Sequence, residues 1–309
     1  MNRVSSKITV AVSACLLGQH VRFDGNHKRQ ALLVDEFAEL FEYLPLCPEV
    51  AIGLGVPRQP IRLVDDDGQI RVRGVNDASL DVTDKLRNYA HDLAAKIDKC
   101  RGFIFKKASP SCGMERVKIY RDRQLVSTRG VGAFAHAIMA AHPLLPVEEE
   151  GRLQDMALRE NFIQRVLVYD RWLRLIEAGL TRGALVEFHS RHKFLLLAHD
   201  EVTYRALGRI VASVGDACLD DVARRYITLL MNGLKKPCSR RRHCNVLQHL
   251  MGFLKSSLDN DDKHELLTII QQYREGNFSL EVPKTLLRHH FRRQPDPYVN
   301  KQFYLYQCG

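Results

Sequence analysis

Three cysteines stand where the chain leaves a predicted β-strand. Cys15 ends the first apolar strand, Cys47 ends the second, and Cys112 lies in the loop after a third. These strands are predicted at residues 8–14, 44–47 and 102–106. In an open parallel sheet, the carboxyl ends of the strands form the ligand crevice. Cysteines that are far apart in sequence are therefore expected to converge at one edge of the sheet.

Three thiolates without a nearby fourth ligand suit a soft metal or an iron–sulfur cluster. A structural zinc ion would usually require a fourth protein ligand. The sequence contains no CxxC pair, so the spacing alone is not diagnostic. A cysteine can also be a small buried hydrophobe. Because all three occur at strand ends beside glycine or proline, the functional interpretation is favoured.

An acidic residue lies next to this set of cysteines. Glu49 follows Cys47 by two residues. A carboxylate beside a metal site is placed to act as a general acid or base on water. The alternative is an acidic residue at the start of a helix, where the helix dipole favours it.

The loop of Cys112 and the strand before it offer further polar side chains. Ser109 and Ser111 could hydrogen-bond to a substrate, or they could cap the next element. Lys106 and Lys107 could meet a phosphate, or they could form a solvated strand end. These four side chains are candidate substrate contacts or catalytic groups.

Strands alternate with helices in the first half of the chain, which predicts a layered α/β (Rossmann-like) domain with a mainly parallel sheet. The predicted helices are residues 29–43, 83–98 and 132–141, and the predicted hairpins are 61–72 and 117–127. The first hairpin has the turn sequence DDDG at 65–68.

The second half has apolar residues at helical spacing and few strand signals, which predicts an all-α domain. The helical runs are residues 153–177, 185–199, 202–214, 217–230, 244–258 and 263–273. Two prolines and three consecutive glutamates mark a linker or helix start within 143–151. The predicted domains are 1–147 and 148–309.

Composition excludes several classes of protein. The chain has 309 residues, of which 45% are hydrophobic and 27% charged, and these fractions exclude a wholly disordered chain, a collagen and a coiled-coil rod. No apolar stretch reaches the ~18 residues of a membrane-spanning helix. The apolar run Ile8–Val12 is shorter than the ~7–15 residues of a signal peptide. A cytoplasmic protein with reduced thiols is therefore predicted.

Several motifs in the first half occur in a recognisable order. They are SACLLG at 13–18, VRFDG at 21–25, CPE at 47–49, PRQP at 57–60 and SPSCG at 109–113. Together they resemble the thiouracil desulfidase family and cover residues 8 to about 145. The second half resembles an all-α domain often fused to that family. Its matching stretches are FHSRHK at 188–193, NVLQH at 245–249 and PKTLL at 283–287.

The resemblance implies a non-redox desulfidase with a [4Fe-4S] cluster held by Cys15, Cys47 and Cys112. It implies that the open iron binds the sulfur of the substrate and that Glu49 activates water, with Ser109 close to the reacting group. The two-domain arrangement is similar to bacterial enzymes that convert 4-thiouridine in tRNA to uridine. The candidate substrate contacts are Asp24, Arg58, Lys106, Lys107 and Ser111. The family often has tyrosine where this chain has Phe23, so one hydroxyl is lost.

The second half carries most of the positive charge. The chain has a net charge of +10, and residues 1–150 hold 21 Lys+Arg against 19 Asp+Glu. Most of the excess therefore lies in residues 151–309, where a polyanionic partner such as tRNA would bind. The candidate RNA contacts are Arg191, Lys193, Lys235, Lys236, Arg240, Arg241, Arg242, Arg292 and Arg293. Each cluster could instead be a solvated helix face.

Some alternatives remain open at the level of sequence. A zinc site is conceivable within 238–249, at Cys238, His243, Cys244 and His249, but the spacing fits no common zinc finger. Cys100, Cys218 and Cys308 have no partner pattern and are expected to be structural. The competing functions are a desulfidase of free thiouracil or thionucleosides, a non-catalytic iron–sulfur sensor that binds nucleic acid, and a zinc-dependent nucleic-acid binder. No membrane association and no obligate protein partner are predicted.

Overall fold

The computed structural model describes residues 7–215 and 218–306. The chain divides into two compact units, residues 1–171 and 172–309. The β-strands are β1 (Ile8–Ser13), β2 (Phe41–Leu46), β3 (Ile61–Asp66), β4 (Gln69–Gly74), β5 (Phe103–Phe105), β6 (Val117–Arg121), β7 (Gln124–Gly130) and β8 (Val147–Glu149). The α-helices are α1 (Pro48–Ala51), α2 (Thr83–Asp92), α3 (Ala94–Ile97), α4 (Ala133–Ala141), α5 (Met156–Glu177), α6 (Arg182–Arg191), α7 (Lys193–His199), α8 (Glu201–Ala212), α9 (Leu219–Leu234), α10 (Arg240–Gly252), α11 (Asn260–Glu275) and α12 (Glu281–Arg293).

The first sheet is entirely parallel and has the strand order β2-β1-β5-β8. β1 and β2 pair from Ile8 opposite Phe41 to Ser13 opposite Leu46, so the two strands end level with each other. β5 pairs with β1 on its other side. The carboxyl ends of these three neighbouring strands therefore meet at one edge of the sheet. The predicted α/β domain with a mainly parallel sheet is confirmed.

The two predicted hairpins form a second sheet, with the strand order β4-β3-β6-β7. β3 pairs antiparallel with β4, and β6 pairs antiparallel with β7. The hairpins join through a parallel pairing of β3 with β6. The sequence predicts both hairpins, the first from its turn residues, whereas the separate sheet results from pairing between strands distant in sequence.

Successive residues of β1 point into two different hydrophobic clusters, because side chains alternate across a strand. Val10 and Val12 belong to a cluster with the turns at 32–39 and with α5. Ala11 belongs to a cluster with the second sheet, α2 and α4. The methyl group of an alanine at Gly102 would lie 2.9 Å from Val166 Cγ2. The start of β5 is therefore covered closely by α5.

The predicted helix at 29–43 forms only in part, at residues 32–39. The chain forms short helical turns at 32–36 and 37–39 and then enters β2 at Phe41. Leu32, Leu33 and Phe37 are buried at helical spacing, which explains the prediction. Pairing of β2 with β1 competes for the second part of this segment, and tertiary pairing overrides local preference there.

The second unit is helical throughout its described residues, as predicted. It contains α6 to α12 and the last residues of α5. Trp172 stacks on Tyr226 at 5.7 Å between ring centroids and meets Phe188 edge-on at 5.5 Å. Residues 281–293 form α12, a helix that the sequence analysis does not predict. Residue 217, where one predicted run begins, lies outside the described residues.

The predicted domain boundary after residue 147 falls inside the first unit. β8 begins at Val147 and extends the parallel sheet beside β5, and the first turns of α5 cover that sheet. A linker assigned from prolines and glutamates is therefore part of the fold of the first unit. Within the described residues, no helix is long and apolar enough to cross a membrane.

Candidate active site

The three strand-end cysteines line one cavity in the first unit. Cys15 lies in the turn after β1, Cys47 lies between β2 and α1, and Cys112 lies in the loop after β5. The cavity has a volume of about 70 Å³. The expected convergence is therefore present in the fold, while the ligand role of the cysteines stays a prediction.

Burial disfavours thiolates at all three positions. Burial, assisted by the neighbouring Cys47 and opposed by the charge of Lys106, raises the pKa of Cys15 to about 11. Burial, followed by the charges of Glu49 and Cys47, raises the pKa of Cys112 well above its usual range. Burial also raises the pKa of Cys47. Thiolates so placed need a compensating positive charge, which a thiophilic metal centre supplies.

Three cysteines around one cavity can each bind a different iron of a cluster. Among the described residues 7–215 and 218–306, no group of three or more His, Cys, Asp or Glu side chains is placed to hold one metal ion. In an iron–sulfur cluster each cysteine binds a different iron, so the cysteine sulfurs lie farther apart than around one ion. Three cysteines around one cavity, without a fourth, are compatible with a [4Fe-4S] cluster that has one open iron.

Glu49 lines the cavity and is held by two other side chains. Arg58 binds carboxylate oxygen Oε2 through Nε at 2.9 Å and Nη2 at 2.8 Å. The hydroxyl of Ser111 donates to the other oxygen, Oε1, at 2.6 Å. Arg58 also donates to the carbonyls of Gly55 and Val21 at 2.9 and 3.0 Å. The carboxylate is therefore fixed in orientation, and Oε1, which accepts only the Ser111 hydroxyl, keeps lone-pair capacity for a water.

This network changes the interpretation of two predicted substrate contacts. Ser111 is fully buried and does not line the cavity, and its hydroxyl proton is directed to Glu49. Arg58 lines the cavity, but its side chain is only 5% exposed and binds Glu49. Both residues are placed to position the carboxylate.

Ser109, unlike Ser111, is placed to hydrogen-bond to a substrate in the cavity. Its Oγ accepts the backbone N–H of Cys112 at 3.1 Å and that of Ser111 at 3.3 Å. Because these bonds use the oxygen as an acceptor, the hydroxyl proton stays available to donate. Ser109 lines the cavity, so it can donate to a bound substrate.

Close packing fixes the loop that carries these residues. A methyl group at Gly132 would lie 2.5 Å from the carbonyl of Ser111, so only glycine fits at that position. The N–H of Gly132 donates to the carbonyl of Gly113 at 2.8 Å. The start of α4 therefore holds the loop of Cys112 in place.

Lys106 and Lys107 both bind the carboxylate of Glu150, Lys106 through its side chain and Lys107 through its backbone N–H. Lys106 Nζ lies 2.6 Å from Glu150 Oε1, and the backbone N–H of Lys107 donates to Glu150 Oε2 at 2.7 Å. Lys106 lines the cavity, whereas Lys107 does not. Asp24 also lies off the cavity lining and forms an ion pair with Arg22 at 3.3 Å. The substrate roles of these residues stay predictions.

Arg22 is a charged cavity residue that the sequence analysis missed. It lines the cavity, and its positive charge lowers the pKa of Cys15. Its Nε is buried and has no hydrogen-bond acceptor, although Asp24 Oδ1 lies 3.3 Å away. The available signal was its place in the VRFDG motif, two residues before Asp24.

The predicted RNA contacts are spread over the second unit. The Arg191 guanidinium lies 4.2 Å from the ring centroid of Phe303. Lys193 lies over Phe194 and Tyr298, at 5.4 and 5.6 Å from their ring centroids. The other positions are exposed at the end of α9, the start of α10 and the end of α12: Lys235, Lys236, Arg240, Arg241, Arg242, Arg292 and Arg293. Their role in binding RNA stays a prediction.

Two of the four residues of the alternative zinc site are engaged in contacts within the helical unit. His243 Nδ1 hydrogen-bonds the hydroxyl of Tyr304 at 2.9 Å, and burial lowers the pKa of His243 to about 3. Cys244 Sγ donates to the carbonyl of Ile270 at 3.8 Å. These side chains serve packing within the helical unit. Cys308, expected to be structural, lies outside the described residues.

Comparison with known proteins identifies two matched segments. Residues 10–150 match the family model "2-thiouracil desulfurase", and residues 193–308 match "Protein of unknown function (DUF1722)". Uncharacterized protein YbgA of Escherichia coli (strain K12) is 36% identical over 146 residues, which are 47% of this chain and 86% of that protein. Uncharacterized protein YbbK of Bacillus subtilis (strain 168) is 33% identical over 113 residues, which are 34% of this chain and 72% of that protein.

A solved structure, the [4Fe-4S]-dependent thiouracil desulfidase TudS, is also similar to this chain. It is 34% identical, and the match covers 50% of this chain and 97% of that one with a TM-score of 0.40. Cys15, Cys47 and Cys112 all fall within the segment that matches the 2-thiouracil desulfurase model.

Proposed function

Because the chain belongs to the 2-thiouracil desulfurase family over residues 10–150, we propose that it is an iron–sulfur desulfidase that converts 4-thiouridine in tRNA to uridine. The observation that carries the proposal is the convergence of Cys15, Cys47, Cys112 and Glu49 on one cavity. Three soft ligands beside an oriented carboxylate suit hydrolysis of a carbon–sulfur bond.

The proposed reaction exchanges sulfur for oxygen without electron transfer. The oxygen of a water bonds to carbon 4 of the base, the carbon–sulfur bond breaks, and both protons of the water leave on sulfide as H₂S. When held by Cys15, Cys47 and Cys112, a [4Fe-4S] cluster supplies an open iron, a soft Lewis acid for the sulfur of the substrate.

Each side chain around the cavity has its own role in the proposed reaction. Glu49 takes a proton from the attacking water. Arg58 and Ser111 hold Glu49 in a single orientation, so that its free lone pair faces the cavity. Ser109 donates a hydrogen bond to the substrate, and the positive charge of Lys106 favours the developing anion.

Charge favours an RNA substrate over a free base. Most of the net charge of +10 lies in residues 151–309, and the exposed cations at the end of α9, the start of α10 and the end of α12 belong to that half. Neutralised phosphates release counterions, which supplies most of the affinity for nucleic acid. A desulfidase of free thiouracil would gain nothing from this excess, and this is the alternative function.

The deciding experiment measures sulfide released by anaerobically reconstituted protein, with iron counted in the same sample. We expect release from thiolated tRNA, together with about four irons per chain, as one [4Fe-4S] cluster requires. Unthiolated tRNA is the control. Brisk release from free 4-thiouracil without release from tRNA would favour the alternative function, and iron without release from either would favour a sensor.

Arg58 offers a test of the positioning network. Arg58→Lys keeps the charge but loses the paired bonds to Glu49, because a lysine cannot reproduce the guanidinium fork. We expect kcat to fall by about tenfold or more, with KM changed by less than about threefold. Arg58→Ala also breaks a buried ion pair and is expected to lower the free energy of unfolding by about 3 kcal/mol.

The two variants are measured by steady-state kinetics and by urea unfolding. Arg62→Lys is the control, because Arg62 lies on β3 and is not a residue of the cavity. A change in KM alone for Arg58→Lys would return Arg58 to a role in substrate binding. A kcat that is higher in Arg58→Lys than in Arg58→Ala would indicate that Arg58 positions Glu49 and does not have a purely structural role.

A further inference from the structure

The helical unit contains a large cavity that the proposed reaction does not use. Its volume is about 1080 Å³, and α10 and α11 form two of its walls. Ligand pockets typically have volumes of ~300–1,000 Å³, so this cavity can accept a group of substantial size. It is built entirely from residues of the second unit.

The two walls run in opposite directions. The Arg240 guanidinium at the start of α10 donates to the carbonyl of Tyr273 near the end of α11 at 2.8 Å. One turn further along α10, Cys244 contacts the carbonyl of Ile270, which lies earlier in α11. The first turn of α10 therefore lies beside the last turn of α11.

This arrangement gives the cavity a cationic end. Arg241 and Arg242 from α10 and Arg274 from α11 line the cavity, and all three come from these adjacent turns. Arg242 donates to the carbonyl of His199. Among the described residues no hydrogen bond or ion pair is present for Arg241, and its side chain is exposed.

Two acidic residues lie near this end, and one of them, Asp200, places Oδ1 3.9 Å from Arg242 Nη2. Glu201 is the acidic residue among those that line the cavity, and its carboxylate is bound by Arg205 at 2.6 Å. The first turn of α10 contains no acidic residue. An anionic group is therefore stabilised at this end.

The other end of the cavity is neutral and can form hydrogen bonds. Asn245 and Gln248 follow Arg241 on the same face of α10, because residues four and seven positions apart share a face. Gln271 and Leu267 lie opposite on α11. Gln248 stands seven residues after Arg241, which is ~10 Å along the helix. Amide side chains beside an aliphatic surface can bind the edge and the face of a heterocycle.

We infer that this cavity binds a nucleotide, with its phosphate at Arg241 and Arg274 and its base beside Asn245 and Gln248. The cationic end of the cavity matches the phosphate of a nucleotide, and the neutral end matches its base. The two ends lie about as far apart as these two groups of one nucleotide. The source can be an RNA strand or a free nucleotide, which share this chemistry. RNA as the source rests on the proposed function, whereas the site itself does not.

The test compares two cavity variants for binding unthiolated tRNA, which needs neither a cluster nor turnover. Arg241→Ala is expected to weaken binding about tenfold and to reduce the salt slope by about one unit. Gln248→Met is expected to weaken binding about fivefold without changing the salt slope, because no charge is lost. Arg225→Ala removes the same charge from the exposed surface of α9, outside the cavity, and is the control.

In a second arm, uridine 5′-monophosphate replaces tRNA, and its binding is measured by calorimetry. Weakening by both cavity variants in either arm supports the site, and the arm that responds identifies strand or free nucleotide as the source. Losses no larger than that of Arg225→Ala, in both arms, overturn the inference. Circular dichroism of each variant excludes unfolding, and sulfide release from free 4-thiouracil tests the proposed reaction separately.

Discussion

Cys112→Ala is expected to lose the iron–sulfur chromophore and to lower sulfide release by roughly 10³-fold or more, the scale on which removal of a whole catalytic unit acts. Cys112 is buried at the same cavity as Cys15 and Cys47. Because three ligands are the whole protein contribution to the proposed cluster, the loss of one leaves two irons without a protein ligand. Cys15→Ala and Cys47→Ala are expected to behave in the same way.

The measurement is the visible absorbance and iron content of anaerobically reconstituted protein, together with sulfide release. Cys100→Ala is the matched control, because Cys100 is also buried in the first unit but contacts the carbonyl of Lys96 and does not line the cavity. It is expected to keep both chromophore and activity. A full chromophore in Cys112→Ala would remove Cys112 from the ligand set.

Glu49→Gln is expected to keep the chromophore and to lower kcat by ~10²–10⁴-fold, which is the usual contribution of a general acid or base. The amide preserves the shape of the side chain and can still accept the hydroxyl of Ser111. It cannot take a proton from water. The variant therefore separates the acid–base chemistry from the assembly of the metal site.

Steady-state sulfide release and iron content are measured on the same preparation of Glu49→Gln. Glu42→Gln, an exposed glutamate on β2, is the matched control and is expected to be unchanged. Activity of Glu49→Gln within about twofold of the parent would remove Glu49 from the reaction. Loss of iron would instead make Glu49 part of the metal site.

Local patterns in the sequence predict much of this protein. Alternating strand and helix signals predict the α/β unit, and the turn residues at 65–68 predict the first hairpin. The order of strand-end cysteines predicts that Cys15, Cys47 and Cys112 share one edge of the sheet. These features follow from short-range periodicity and turn chemistry, which are readable over a few residues.

The partners of Glu49 were decided by the tertiary structure. Arg58 is nine residues away and Ser111 is 62 residues away, and both were expected to contact substrate. Their contact depends on the loops after β2 and β5 meeting at the same edge of the sheet. No local pattern specifies which side chain in one loop reaches which side chain in the other.

In the helical unit, too, the sequence predicts some features and only the tertiary structure decides others. Net charge and clusters of basic residues predict a surface for a polyanion, because composition sets the potential of a surface. The cavity between α10 and α11 depends on their antiparallel contact, in which Arg240 reaches Tyr273 across 33 residues. The sequence by itself determined most of the elements, the strand-end cysteines and the charge, because these depend on neighbouring residues. Only the tertiary structure decided the carboxylate network and the cavity, because both depend on packing between distant segments.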